Sequence, residues 1–140
     1  MNFAMVRYLI GWMLCVEGVF LLLPMLTAIA YQEPIAFCYL IVAAVCLVFS
    51  SLFSRYRPSN TRFYAREGFV TVSLCWIVMA MTGALPLWLG QETGTYIDAL
   101  FETISGFTTT GATIFGDVEA LSHATLLWRS LTHWIGGMGV

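Results

Sequence analysis

The sequence predicts an all-α membrane protein, and three observations predict it. Hydrophobic residues make up 59% of the 140-residue chain and charged residues only 10%, whereas an ordinary soluble domain is about a quarter charged. Three windows, residues 8–31, 35–53 and 69–89, are apolar over the roughly 20 residues that a bilayer-spanning helix requires. After them comes an apolar segment too short to span, a run of threonine and glycine, and a fourth apolar stretch over 126–140.

The first two windows predict a helical hairpin closed by Tyr31-Gln32-Glu33-Pro34, in which Pro34 can open the second helix. Pro24 should kink the first helix or mark its last turn, because it lacks the backbone donor. Arg7, the apolar run and Ala28-Ile29-Ala30 are also the parts of a cleaved signal peptide. The run is longer than such a segment and carries Glu17 midway, which favours a retained helix. Cys15, Cys38, Cys46 and Cys75 each lie inside an apolar window and read as packing residues.

Charge sets the expected orientation. The chain has no lysine, and Arg55, Arg57, Arg62 and Arg66 fall in the connection over 54–67, with Arg7 ahead of the first window. The acids Glu92, Asp98, Asp117 and Glu119 follow the third window. The positive-inside rule then places the N-terminus in the cytoplasm and the threonine run on the outer side. A net charge of −2 offers no basic footprint for nucleic acid.

The third window should bend at Gly83 and Pro86 and present Trp88 to the membrane interface. Beyond it, Ile97, Leu100, Phe101, Ile104 and Phe107 recur at helical spacing, predicting a helix over 96–107 of about 12 residues and about 18 Å. That reaches partway across a bilayer. A half-length helix, a glycine-broken loop over 108–113 and a further helix from 126 form a re-entrant pattern, tolerated at membrane depth only where the loop is buried or lines a water-filled cavity. The stretch 126–140 is short of a full span, which predicts that the chain is the N-terminal piece of something longer.

The loop Thr108-Thr109-Thr110-Gly111-Ala112-Thr113 is neutral, so it offers backbone carbonyls and hydroxyls rather than acid–base groups. Rings of carbonyls can replace the hydration oxygens of a cation. Gly111 can adopt backbone angles that align them, and the preceding helix aims its negative dipole end at the same place. Two roles are open to Glu102: attracting cations, or bracing the loop through backbone N–H groups. Bracing is adopted, since a carboxylate in the path would bind ions too tightly to release them. Thr113 and Arg129 are candidate supports, Arg129 by snorkelling or by bonding exposed carbonyls.

Glu17, His123 and His133 are read as structural, Glu17 as protonated or hydrogen-bonded to a neighbouring helix. Gly136-Gly137-Met138-Gly139 lacks the strand and lysine of a phosphate loop and fits close helix packing. An intramembrane enzyme finds no support: Ser105 has no base at a helical offset.

The motifs Arg66–Phe69 (REGF), Gly83–Pro86 (GALP), Phe101–Thr113 (FETISGFTTTGAT) and Trp128–Gly139 (WRSLTHWIGGMG) resemble those of the Trk/Ktr/HKT superfamily of potassium transporters, nearly end to end. The resemblance implies two preliminary transmembrane helices (residues 1–67, with the arginine loop) followed by the first helix–pore loop–helix repeat of four around one pore (68–140). It implies potassium bound at the carbonyls of Thr108, Thr109, Thr110 and Gly111, the last three above all, with potassium as substrate and no other cofactor. It further implies a multi-pass protein of a bacterial inner membrane, a homodimer of the full-length protein, and a cytosolic nucleotide-binding regulatory subunit. The alternatives are a tetrameric cation channel with one loop per chain and a non-conducting structural subunit.

Overall fold

The computed structural model describes residues 3–58 and 64–139, so Arg62 and the rest of 59–63 in the arginine-bearing connection lie outside the described residues. Those residues form five helices: α1 (Phe3–Ala30), α2 (Ala36–Ser54), α3 (Ala65–Leu89), α4 (Tyr96–Phe107) and α5 (His123–Gly139). The first three are long and apolar enough to cross a membrane. Large side chains such as Phe37, Val48, Phe69 and Ile77 stay exposed on their outer faces, the reverse of a water-soluble core and the arrangement that lipid accepts.

Glycine sets how close α1 and α2 run. An added Cβ on Gly11 would stand 2.9 Å from Phe53 Cβ, and one on Gly18 would stand 3.1 Å from the Leu47 side chain. Helix packing of this small-residue type supplies the van der Waals contact that association in lipid depends on. The hairpin turns through Gln32, whose φ of 55° is left-handed. Pro34 lies before α2, with Ile35 as the first flanking residue, so it does not open the helix as predicted. Nor does Pro24 end α1, which continues to Ala30 with Pro24 buried inside it.

Three of the five helices, α1, α3 and α5, start earlier than hydropathy suggests. The α3 helix begins at Ala65 rather than 69 because the Tyr64 N–H donates to Glu67 Oε2 at 3.2 Å, capping the first turn. Arg66 therefore belongs to that turn and not to the loop. At the same end of the bundle the Arg7 guanidinium lies 5.9 Å from the centre of the Tyr56 ring.

Four helices meet at Gly83. A Cβ there would stand 3.0 Å from Glu17 Oε1 on α1, 3.1 Å from Thr103 Cγ2 on α4 and 3.2 Å from Trp128 on α5. Across this junction Thr82 Oγ1 donates to Glu17 Oε2 at 2.6 Å, and Trp128 Nε1 donates to the Gly83 carbonyl at 2.9 Å. Glu17 is fully buried, so it is bonded to a neighbouring helix, one of the two states expected of it. The Gly83 carbonyl gains a donor from outside its own helix, which ties α5 to α3 at a point where an added Cβ would press on side chains of three other helices.

Candidate functional site

The short helix α4 runs back along α3 and stops halfway. Its start is held by Thr95, which accepts from Asp98 N at 3.2 Å, and by Tyr96, whose hydroxyl donates to the Met81 carbonyl at 2.8 Å. Tyr96 also packs edge-on against Trp88 at 5.7 Å. Its end packs Phe107 against Trp76 at 5.9 Å, a full twelve positions further down α3. The amphipathic spacing that predicted 96–107 marks both ends of the helix correctly.

Helix α5 closes on that end. The backbone of Gly136 lies so near Phe107 that a Cβ would collide with the Phe107 carbonyl, and Gly106 faces Thr132 just as closely. The glycines at 136–139 thus include one required by backbone approach, as close packing predicts.

The chain leaves α4 through a left-handed turn. Thr109 N donates to Gly106 O at 2.9 Å and Thr110 N to Ser105 O at 3.0 Å, the two bonds of a Schellman motif. The left-handed residue of such a cap is usually glycine, yet here it is Thr109, with φ 56°. A β-branched residue in that region is strained by about 1–3 kcal/mol. Gly111 follows with φ 77°. The hydroxyls of Thr108 and Thr110 meet at 2.8 Å, and Thr108 Oγ1 also donates to Ile104 O.

All four N–H groups of 108–111 are tied back to α4. Thr108 N reaches Ile104 O at 2.9 Å, and Gly111 N shares Ser105 O with Thr110, at the longer distance of 3.4 Å. The carbonyls of Thr108, Thr109, Thr110 and Gly111 accept no hydrogen bond from the described residues. The next carbonyl, of Ala112, is taken by the Ser105 hydroxyl at 2.6 Å. The N–H groups of this backbone are all committed to α4, and four successive carbonyl oxygens are left without a donor among the described residues.

Glu102 holds the returning strand. It is 4% exposed, and its Oε2 accepts from Thr113 Oγ1 at 3.1 Å and from Ile114 N at 3.2 Å. Its Oε1 accepts from Arg129 Nε and lies 2.6 Å from Nη2. Arg129 neither snorkels to the surface nor bonds a carbonyl; its guanidinium pairs with Glu102 and sits 5.7 Å from the Phe115 ring centre. The reason is that α5 begins early, at His123 rather than 126, which puts Arg129 a turn deeper, level with the middle of α4.

That early start comes from a residue the sequence reading passed over. Glu33, in the α1–α2 turn, accepts from His123 N at 2.8 Å and Ala124 N at 3.2 Å, capping α5 from a distant part of the chain. His123 Nδ1 lies 2.9 Å from Glu33 Oε1, and its ring stacks on Tyr31 at 3.9 Å. Ser122 caps the same helix locally, its Oγ accepting from Thr125 N at 3.3 Å, a signal legible in the sequence, whereas nothing local signals the Glu33 contact.

Among the described residues no group of His, Cys, Asp and Glu could hold a metal ion. His133 Nδ1 lies 2.8 Å from the Arg129 carbonyl within α5, and His123 is committed to Glu33.

A family model described as a cation transport protein, TrkH, matches residues 35–140. The Trk system potassium uptake protein TrkG of Escherichia coli K12 is 36% identical over 138 residues, covering 96% of this chain and 28% of that protein. The TrkH protein of the same organism is 33% identical over 142 residues, covering 100% of this chain and 29% of its own length. The crystal structure of the potassium transporter TrkH from Vibrio parahaemolyticus matches with a TM-score of 0.92 at 30% identity, covering 100% of this chain and 30% of that one. The chain therefore spans less than a third of the length of these relatives. It belongs to the TrkH family of cation transport proteins.

Proposed function

We propose that this chain forms part of a potassium-uptake transporter and supplies one side of a carbonyl-lined ion path, the first of four such loops in a longer protein. The observation that carries this reading is the row of carbonyls at Thr108, Thr109, Thr110 and Gly111, which accept nothing from the described residues while their own N–H groups are all bonded to α4. A dehydrated cation needs oxygens held at fixed distance, and backbone oxygens anchored from behind meet that need without charge. The end of α4 points its negative dipole at the same place. Glu102, Thr113 and Arg129 brace the strand and stay out of the path. The potassium uptake named for the E. coli relatives supports the choice of ion.

Gly111→Ser in the full-length transporter tests this. A Cβ at Gly111 would meet nothing within 4 Å, so any effect acts through the backbone, whose φ of 77° disfavours a side chain. Preference for potassium over sodium should fall. Unchanged selectivity in flux assays would remove the segment from the ion path. We further propose that the end carrying Arg7 and Arg55 faces the cytoplasm. Cysteine labelling supports this if Tyr56→Cys reacts only from inside and Asp117→Cys only from outside; the reverse pattern overturns it.

A further inference from the structure

We propose that Ser105 is a positioning residue that sets where the row of ion-facing carbonyls ends, an inference that rests on the reading of residues 108–111 as part of an ion path. Ser105 is 5% exposed and lies on α4, with no place in the path itself. Its backbone oxygen accepts from Thr110 N at 3.0 Å and from Gly111 N at 3.4 Å, and its hydroxyl donates to Ala112 O at 2.6 Å. One residue thus bonds three successive positions of the returning strand.

The two kinds of bond do different things. The carbonyl bonds hold the N–H groups of Thr110 and Gly111 toward the helix, and because a peptide is planar their orientation fixes the carbonyls of the preceding residues. The hydroxyl bond acts on the opposite group, drawing the Ala112 oxygen toward α4. Carbonyl orientation therefore changes between Gly111 and Ala112: the first is unbonded, the second is occupied. A cation moving along the row finds unbonded oxygens up to Gly111, and the next one, of Ala112, already occupied.

Replacing the hydroxyl leaves the backbone bonds intact and releases only the Ala112 carbonyl. Freed, that oxygen can swing toward the path, adding an acceptor above the row and loosening the spacing at Gly111. Ions of other sizes are then discriminated less well. Because the hydroxyl touches no ion, overall transport persists.

The experiment is potassium and sodium flux through the full-length transporter carrying Ser105→Ala, Ser105→Thr or Gly111→Ser, with thermal unfolding of each purified variant. The expected result is a fall in the potassium-to-sodium ratio for Ser105→Ala of up to about ten-fold, the factor set by one ordinary hydrogen bond, with potassium flux retained and selectivity restored by Ser105→Thr. Where Ser105→Ala does not yield folded protein, Ser105→Cys, nearly isosteric and a weaker donor, is read in its place and should fall between serine and alanine. Unchanged selectivity in Ser105→Ala alongside altered selectivity in Gly111→Ser overturns the role of Ser105 and leaves the ion path standing. Lowered thermal stability with unchanged selectivity also overturns it, as a purely structural role. Unchanged selectivity in both variants overturns the path and this inference together.

Discussion

Arg129 places both Nε and Nη2 on a single oxygen of Glu102, at 2.6 Å each, and so leaves the other oxygen free for Thr113 and Ile114. The division matters. A fork spread over both oxygens would satisfy the ion pair and abandon the strand, whereas this arrangement ties α5, α4 and the returning strand through one carboxylate.

Removing either partner should therefore be costly. Arg129→Ala leaves a carboxylate that is almost fully buried without its counter-charge, and breaking such a pair costs about 3–5 kcal/mol. Glu102→Gln keeps an acceptor for Ile114 but strands the guanidinium, and should cost less than Arg129→Ala. The double variant Arg129→Met with Glu102→Met should recover part of the loss, because neither charge is then left alone. Thermal unfolding in detergent measures this. A double variant as unstable as the sum of the singles would mean that the two residues act independently.

Adjacent glycines on α5 should behave differently. A Cβ at Gly136 collides with the Phe107 carbonyl, which is backbone and cannot move aside, whereas a Cβ at Gly137 has its nearest neighbour, Thr109 Cγ2, at 4.0 Å. Gly136→Ala should destabilise by about 1–3 kcal/mol, the usual cost of overpacking, and Gly137→Ala by far less. Equal melting temperatures for the two variants would show that α5 does not press on α4 here.

What the sequence made legible follows from the range of the physics involved. Helix α4 could be placed at both ends because its signals are local: Thr95 caps Asp98 three residues on, and the apolar spacing stops at Phe107. Hydropathy alone misses the start of α5, although Ser122 caps it locally, and its second cap, Glu33, lies ninety residues away. That the 108–113 loop is neutral and offers carbonyls and hydroxyls was legible from composition; that the carbonyls of 108–111 are left without donors among the described residues was not. Nor was the left-handed Thr109, since a β-branched residue is a poor choice for that conformation and only surrounding structure imposes it. Arg129 was placed on the right helix but given the wrong partner, because the depth of a residue depends on where its helix begins.

The Glu33 contact predicts a dependence on pH. Burial alone would raise the Glu33 carboxyl, but hydrogen bonds from the backbone and ring of His123 and from the Ala124 backbone outweigh it and hold it below its ordinary value of 4.5. A carboxyl depressed in the folded state stabilises the fold fully above its unfolded value, and that stabilisation is lost as pH falls through the folded value. Glu33→Gln should thus cost about 1 kcal/mol at neutral pH, the size of a lost N-terminal cap, and the gap from wild type should close as pH is lowered below 4.5. A gap that is constant across pH would assign the effect to packing at Tyr31 instead.

The strain at Thr109 leads to a variant in which stability and selectivity should part. Glycine adopts a φ of 56° without the penalty of about 1–2 kcal/mol that a Cβ brings, offset in part by the greater freedom of glycine in the unfolded chain, about 0.4–1 kcal/mol. Thr109→Gly should therefore leave stability unchanged or raise it slightly. The same substitution removes the side chain that confines this turn: the two Schellman bonds still fix the oxygens of Thr108 and Thr109, while the oxygen of Thr110, held only through the longer Gly111 N–H bond to Ser105, becomes free to reorient. Potassium-over-sodium preference should fall although the protein melts no earlier. A fall in melting temperature with selectivity preserved would mean that the threonine side chain serves the fold, and that the left-handed turn holds its shape from the backbone bonds to Ser105 and Gly106 alone.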